Sequence, residues 1–216
     1  MKKIVLLTLL FVNGITVAQN EKFKEEKINI DKGTWSFGGQ LSFNLSNSEF
    51  ESNGSTQESD NNGISINPEV GYAVQKNLII GLGLGYSYFD AKSGNNFSDS
   101  RNTFSIYPYI KKFIPVNKNL LFSIRGEIQF SKTNFENSNN NFLNNGNDQG
   151  FFIGFRPGIS YFISNKLALE ANIGALGYSR STRDFDTNNS DKATTNSFSF
   201  DFNSSNLFFG LTYFLH

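Results

Sequence analysis

The feature that most constrains the fold is a strict alternation of apolar and polar residues in residues 64–88. Every second position from Ile64 to Val74 is apolar, and the alternation resumes from Leu78 to Tyr88. Such a period of two is typical of a β-strand that presents one apolar face. Only the polar residues 75–77 separate the two runs. The sequence therefore predicts two long antiparallel strands joined by a tight turn.

This hairpin recurs in residues 103–130 and 151–177. Each copy carries a proline on the apolar register, then a short polar turn, then a leucine; the prolines are Pro68, Pro108 and Pro157, and the leucines Leu78, Leu120 and Leu167. A repeat of this kind indicates one supersecondary unit used three times. With flanking strands at 35–47 and 206–215, the chain is predicted to be all-β, with eight antiparallel strands.

The polar face of these strands indicates whether the barrel lies in a membrane or in water. It carries many ionisable and amide side chains, too many for a dry core, including Gln40, Asn44, Glu69, Lys111, Arg125, Glu127, Gln129, Arg156, Glu170 and Asn172. The apolar face must then point outward into hydrocarbon, where closure into a barrel satisfies the backbone groups. An up-and-down transmembrane β-barrel is predicted, with a soluble barrel as the alternative, since periodicity alone does not identify the surroundings.

Segments between the strands alternate in length. Long polar segments at 48–62, 90–102, 133–149 and 181–196 read as loops, whereas the turns at 75–77, 116–119 and 164–166 are short. Outer-membrane barrels show this asymmetry, with the short turns in the periplasm. We therefore expect four loop positions to be reachable from outside intact cells, namely Asn53, Asn96, Asn140 and Asn188. Three lysines in the short turns should not be reachable, namely Lys76, Lys118 and Lys166.

The start of the chain has the pattern of an export signal. Residues 1–18 combine a basic start, a short apolar run and small residues before Gln19, which predicts a cleaved secretory signal peptide and export through the Sec pathway. Residues 19–33 are polar and are expected to form a loose periplasmic lead-in. The barrel is then expected to occupy residues 34–216.

Aromatic residues on the apolar register cluster near the strand ends, where two interfacial girdles are expected; the members are Trp35, Tyr72, Tyr86, Tyr88, Phe130, Tyr161 and Tyr213. The alternative is that aromatics are simply good strand formers. Register near the chain end is less regular, and a bulge is expected near Ser204 and Ser205. On the outward face Leu82→Arg should destabilise the barrel, whereas the inward change Gly83→Ser should be mild.

The inward charges are expected to form one neutral hydrogen-bonded network that plugs the narrow lumen; its members are Glu69, Lys111, Arg125, Glu127, Arg156 and Glu170. Histidine-dependent catalysis is not expected, because the only histidine is the final residue, His216. Glu69 with Glu127 is the one inward carboxylate pair, and ion pairing is the favoured role. Cysteine is absent, and the loop aspartates lack calcium-loop spacing, so neither a metal nor another cofactor is expected.

The pattern I-x-P-x-V-G-Y-x-V-x-K-N-L-x-I-G-x-G-x-G-Y, with the signal peptide and the aromatic final strand, resembles the small outer-membrane β-barrel proteins of the OmpA/OmpX-like class. Members of that class act as adhesins, surface-stability factors or narrow pores. The resemblance implies outer-membrane lipid, lipopolysaccharide and the barrel-assembly machinery as partners. The last residues differ from the family, ending Leu215-His216 where a terminal phenylalanine is usual.

These observations together predict a non-enzymatic protein, monomeric, with an envelope-structural or surface ligand role through its external loops. A narrow pore for small solutes or ions is the alternative. The balanced charge, 19 basic against 19 acidic residues, argues against a nucleic-acid partner.

Overall fold

The computed structural model describes residues 27–52, 55–94, 97–139, 142–185, 192–201 and 207–215. The predicted signal peptide, the four loop asparagines, Ser204, Ser205 and His216 lie outside these ranges. Ten strands are described: β1 Trp35–Ser52, β2 Ser55–Gln75, β3 Leu78–Ser93, β4 Phe97–Pro115, β5 Leu120–Asn139, β6 Phe142–Phe162, β7 Leu167–Ile173, β8 Ala175–Phe185, β9 Lys192–Asp201 and β10 Leu207–Leu215. In this part of the chain no helix has the length and hydropathy to cross a membrane.

Eight strands close into an antiparallel barrel, which confirms the predicted fold class. The ring runs β1 to β6 in sequence order, then through β7 and β10 back to β1. β6 pairs with β7 through residues 158–162 and with β8 through residues 146–155. The break between β7 and β8 falls at Gly174, whose φ of 68° lies in the left-handed region that suits glycine. The predicted strand over residues 167–177 is therefore two strands.

The ring is closed between the first and last strands, where β1 pairs with β10 from Trp35↔Leu215 to Gln40↔Gly210. Within the described ranges, the rest of β1 pairs with β2 alone, and β9 pairs with β8 alone. Residues 41–49 of β1 and 192–200 of β9 are exposed on both faces. The barrel wall is therefore continuous at one end and has a seam at the other.

We call the end with the short turns the turn end, and the opposite end the hairpin end. The outward apolar residues cover residues 35–45 of β1, 64–72 of β2 and 104–114 of β4, spans of 11, 9 and 11 residues. A tilted transmembrane strand needs about 9–11 residues. Past this band the outward positions become polar, as at Asp60, Lys92 and Lys132. The exterior thus has one apolar belt of membrane thickness.

The prediction of four long polar loops is wrong. β2 and β6 are 21 residues long, and the strands continue in register far past the belt, for example from Leu45↔Asn62 to Ser52↔Ser55. Polar side chains pair across these extensions, such as Asn47 with Asp60. Pairing between neighbouring strands satisfies the backbone there whatever the side-chain polarity, so polar composition is a poor turn signal. We call these parts, beyond the belt, the outer extension.

The lead-in is not loose where it is described. Ile30 N–H donates to Asn77 Oδ1, and Asn77 N–H donates to the Ile30 carbonyl, both at 2.8 Å. Asn77 sits in the β2–β3 turn with a φ of 60°, a conformation that asparagine tolerates better than most residues. Ile28 N–H donates to the Asn117 carbonyl of the next turn. Residues 27–34, which we call the strap, are therefore tied across the turn end.

Candidate functional site: the barrel lumen

Inward side chains fill the lumen in successive layers from the turn end. The first, which we call the apolar layer, contains no charged side chain; it consists of Ile30 from the strap together with Ala73, Ile79, Phe113, Leu121, Phe162, Ala168 and Phe214. Phe214 lies between Phe162, with ring centroids 5.1 Å apart, and Phe113, at 6.4 Å. Ile30 is 1% exposed. The turn end is thus closed by tightly packed hydrocarbon.

The next layer, the charged layer, contains all six ionisable residues predicted to share the lumen. Lys111 Nζ lies 2.7 Å from Glu170 Oε2, and Ser160 donates to the other oxygen of the same carboxylate. Arg125 Nη1 donates to Glu69 Oε2 at 2.7 Å.

Glu127 joins the remaining cations of this layer. Its Oε1 accepts a 2.7 Å hydrogen bond from Arg156 Nε, and its Oε2 lies 2.8 Å from Arg125 Nε. The latter is an ion-pair contact without hydrogen-bond geometry. Three acids therefore balance three bases, and the functional role assigned to this network stays a prediction.

The charged layer ties distant strands together. Lys111, Arg125 and Arg156 are direct cross-strand neighbours on β4, β5 and β6, so three like charges lie side by side. Two of their carboxylate partners come from across the lumen, Glu69 on β2 and Glu170 on β7, each three strands away around the ring. Neighbouring cations repel, so these cross-lumen carboxylates are required to hold the layer together.

Two tyrosines occupy the space on the β3 side of the lumen. The Arg125 guanidinium lies 4.0 Å from the ring centre of Tyr109 and 5.1 Å from that of Tyr107, in cation–π geometry. Gly81 and Gly83 let these rings approach the β3 backbone, because a Cβ at either position would overlap a tyrosine ring. The prediction that Gly83→Ser is mild is therefore wrong.

Above the charged layer the lumen opens into a polar cavity of about 220 Å³, which Gln129 and Asn172 help to line. Further toward the hairpin end, the interior of the outer extension holds the ion pairs Arg101–Asp99 and Arg183–Asp148. Phe135 is buried there against Phe185. The lumen is thus filled near the turn end and contains polar cavities between the charged layer and the hairpin end.

The seven predicted girdle aromatics all lie on the outer surface, between 37% and 51% exposed. Near the turn end Trp35 packs against Tyr72, with ring centres 5.1 Å apart. Near the hairpin edge of the belt Tyr86 packs on Phe104, and Phe130 on Phe151. Lys112, outward but close to a turn, directs its ammonium to the Lys76 carbonyl at 3.5 Å. These positions are suited to the two interfaces of a bilayer.

The carboxylate pair weighed for acid–base chemistry is engaged in ion pairs. Glu69 and Glu127 both contact Arg125, and Glu127 also contacts Arg156. Within the described ranges no three His, Cys, Asp or Glu side chains are grouped to hold a metal ion. The arrangement is one of charge neutralisation and packing.

Sequence reasoning missed the apolar layer and the strap. The signal was present: on β3, β4, β5 and β6 the inward position nearest the short turn is apolar, at Ile79, Phe113, Leu121 and Phe162. Farther along these strands the inward residues are polar, so the apolar positions beside the turns do not stand out in the sequence. Ile28 and Ile30, which alternate in an otherwise polar lead-in, carry the signal for the strap.

A closed antiparallel barrel with an apolar belt outside and ion pairs inside defines a small transmembrane β-barrel protein. The chain belongs to the family described as the outer membrane protein beta-barrel domain, whose model matches residues 7–212. It is accordingly an outer-membrane protein, and the resemblance seen in the sequence is confirmed.

Three solved structures that are similar to this chain in fold illustrate the comparison. Neisserial surface protein A (NspA) has 11% identity and a TM-score of 0.45, with 84% of this chain and 97% of that chain covered. A major outer membrane protein from Thermus thermophilus has 10% identity and a TM-score of 0.46, covering 84% and 99%. OprG from Pseudomonas aeruginosa has 11% identity and a TM-score of 0.44, covering 87% and 98%. A search of curated protein sequences finds no match.

Proposed function

We propose that this outer-membrane barrel is a non-conducting, non-enzymatic surface protein. It contributes to envelope integrity or contacts an external ligand through its outer extension. The observation that carries the proposal is the double filling of the lumen by the apolar layer and the charged layer. An eight-stranded barrel is only about wide enough for its own side chains, and here Phe113, Phe214 and Ile30 of the apolar layer are each only 1% exposed.

The outer extension supports the surface role. A 21-residue strand is roughly 70 Å long at about 3.3 Å per residue, whereas the belt uses about half of it. In this proposal the turn end faces the periplasm after Sec export and removal of residues 1–18, and the extension projects outside. The partners are outer-membrane lipid, lipopolysaccharide, the barrel-assembly machinery during insertion and an external ligand, with the barrel acting as a monomer.

Planar-bilayer recording tests the sealed lumen. Wild-type protein should give no stable conductance, while a trimeric porin in the same membrane shows that channels are detected. A variant carrying Phe113→Ala, Phe214→Ala and Arg125→Ala removes two of the three phenylalanines of the apolar layer and one of the two arginines of the charged layer, and it should leak. Discrete, reproducible channels from the wild-type protein would replace this proposal with the narrow pore.

The surface role is tested with a shortened hairpin. Because Asn47 pairs with Asp60, removing residues 48–59 and closing the strands with an Asn-Gly turn keeps the remaining register. Cells lacking the protein should become more sensitive to detergent, or lose binding of the external ligand, and the full-length barrel should restore the wild-type behaviour. Full restoration by the shortened barrel would show that the β1–β2 extension is not needed.

A further inference from the structure

The cavity above the charged layer, which we call the cup, has a charged base. Arg125, Glu127 and Arg156 line it there, so two guanidinium groups face one carboxylate. Glu69, which neutralises Arg125, is not among the residues that line the cup. Glu69 therefore neutralises Arg125 from outside the cup, and the ionised groups at the base are balanced overall.

Arg156 is the more accessible of the two guanidinium groups at the base of the cup. Its Nε donates to Glu127, and its guanidinium lies 5.1 Å from the ring centre of Phe152, which fixes the side chain from two sides. Among the described residues, the hydrogen bond of the Arg156 guanidinium is the one that its Nε donates to Glu127. Its two Nη groups are therefore available to solvent or to a ligand. The Arg156 side chain is 24% exposed, against 4% for Arg125. A held guanidinium with an open edge is suited to bidentate binding of a carboxylate.

The wall of the cup supplies neutral hydrogen-bonding groups. Three serines and one threonine line it, and so do four amides, which are Gln40, Asn67, Gln129 and Asn172. Amides and hydroxyls each offer both donors and acceptors, which is the complement of a hydroxylated molecule. A volume of about 220 Å³ is below the roughly 300–1,000 Å³ of drug-sized pockets, so the occupant must be small.

We propose that the cup is a binding site for small hydroxylated carboxylates, of the chemical class of sugar acids and hydroxy acids. Arg156 binds the carboxylate and the amide and hydroxyl wall binds the hydroxyl groups. Thr103 lines both the cup and the next cavity toward the hairpin end, so the two cavities adjoin. The ligand enters from the hairpin end, because the apolar layer closes the other. This inference concerns binding and is independent of whether the barrel conducts.

Nuclear magnetic resonance titration of refolded, isotope-labelled protein in detergent micelles tests the proposal. The probes are galacturonate, gluconate and lactate at about 10 mM, which fills about nine-tenths of a site with a dissociation constant of about 1 mM. Galactose and acetate are the comparison probes. Galactose has hydroxyl groups but no carboxylate, and acetate has a carboxylate but no hydroxyl group. The variants are Arg156→Gln and, as matched control, Arg180→Gln, which removes an exposed arginine outside the cup.

At least one hydroxylated carboxylate should shift the backbone amides of Arg156 and Gln129 in the wild-type protein and in Arg180→Gln. Arg156→Gln should weaken this binding about 10- to 100-fold, the loss expected for a charged hydrogen bond. Arg156→Lys keeps the positive charge but lacks the paired Nη donors of a guanidinium. Its affinity for the ligand should therefore lie between those of the wild-type protein and Arg156→Gln. Heat-modifiable gel mobility confirms that each variant is folded. Three results would each overturn the assignment: no shift with any probe, unchanged binding by Arg156→Gln, or equal binding of galactose or acetate.

Discussion

Replacing Arg125 by methionine gives the sharpest test of the charged layer. Arg125 is 3% exposed and contacts Glu69 and Glu127 at 2.7 and 2.8 Å. Methionine keeps much of the apolar stem and removes the charge. Glu127 retains Arg156, whereas no other ion pair to Glu69 is described in the structure. Arg125→Met thus leaves Glu69, whose side chain is only 9% exposed, as an unpaired carboxylate.

The magnitude follows from that stranded charge. Breaking a buried ion pair from one side costs about 3–5 kcal/mol, whereas replacing both partners is often close to neutral. Arg125→Met should therefore lower the free energy of unfolding by about 3–5 kcal/mol. The double variant Arg125→Met with Glu69→Gln should recover about half of that loss or more. Glu69→Gln alone should lower the free energy of unfolding by less than Arg125→Met does, because Arg125 still pairs with Glu127.

Urea unfolding of the barrel in lipid vesicles measures these differences. Trp35 is the single tryptophan and reports insertion of the turn end by its fluorescence. Gel mobility provides a second probe of the folded fraction. A loss below about 0.5 kcal/mol for Arg125→Met, the range of ordinary surface changes, would refute the reasoning. So would a double variant less stable than the single one, because the effect would then not arise from the stranded carboxylate.

The remaining predictions concern the exterior and the orientation. Leu82→Arg places a charge on the outward face of β3 and should destabilise the barrel by about 2–4 kcal/mol in the same vesicle assay; a neutral effect would mean that Leu82 does not face lipid. Lys92→Cys in the outer extension should react with an impermeant maleimide on intact cells, whereas Lys76→Cys at the turn end should react only after lysis. Labelling of Lys76→Cys in unbroken cells would reverse the orientation. The chain has no native cysteine, so each label reports one site.

The strand faces and the short turns could be predicted because they depend on a local rule. A period of two forces Leu82 and Gly83 to opposite sides of β3 in any register, and one face is too charged to be a core. The lengths of the strands could not be predicted in this way. Residues 48–59 have turn-like composition, yet residues 48–52 and 55–59 are strands because β1 pairs with β2 there.

Packing inside the lumen was also beyond local reasoning. The sequence gives no sign that Gly83 is crowded, because the residue that fills its space, Tyr107, lies 24 residues later on another strand. The sequence places the six inward charges at similar distances from the short turns. Which carboxylate contacts which cation depends, however, on how the ring of strands curves. Arg125 pairs with a residue three strands away as well as with Glu127 on its own strand.

The apolar layer joins the two extremes of the described chain. Ile30 comes from the strap and Phe214 from the last strand, and both pack into the same cluster. Contacts between residues so far apart in sequence form late, since closing the intervening chain is the slowest requirement of folding. During insertion the apolar layer therefore stays incomplete until β10 joins β1. Sealing of the turn end then coincides with completion of the barrel, so a chain truncated before Phe214 would leave an unsealed and leaky intermediate in the membrane.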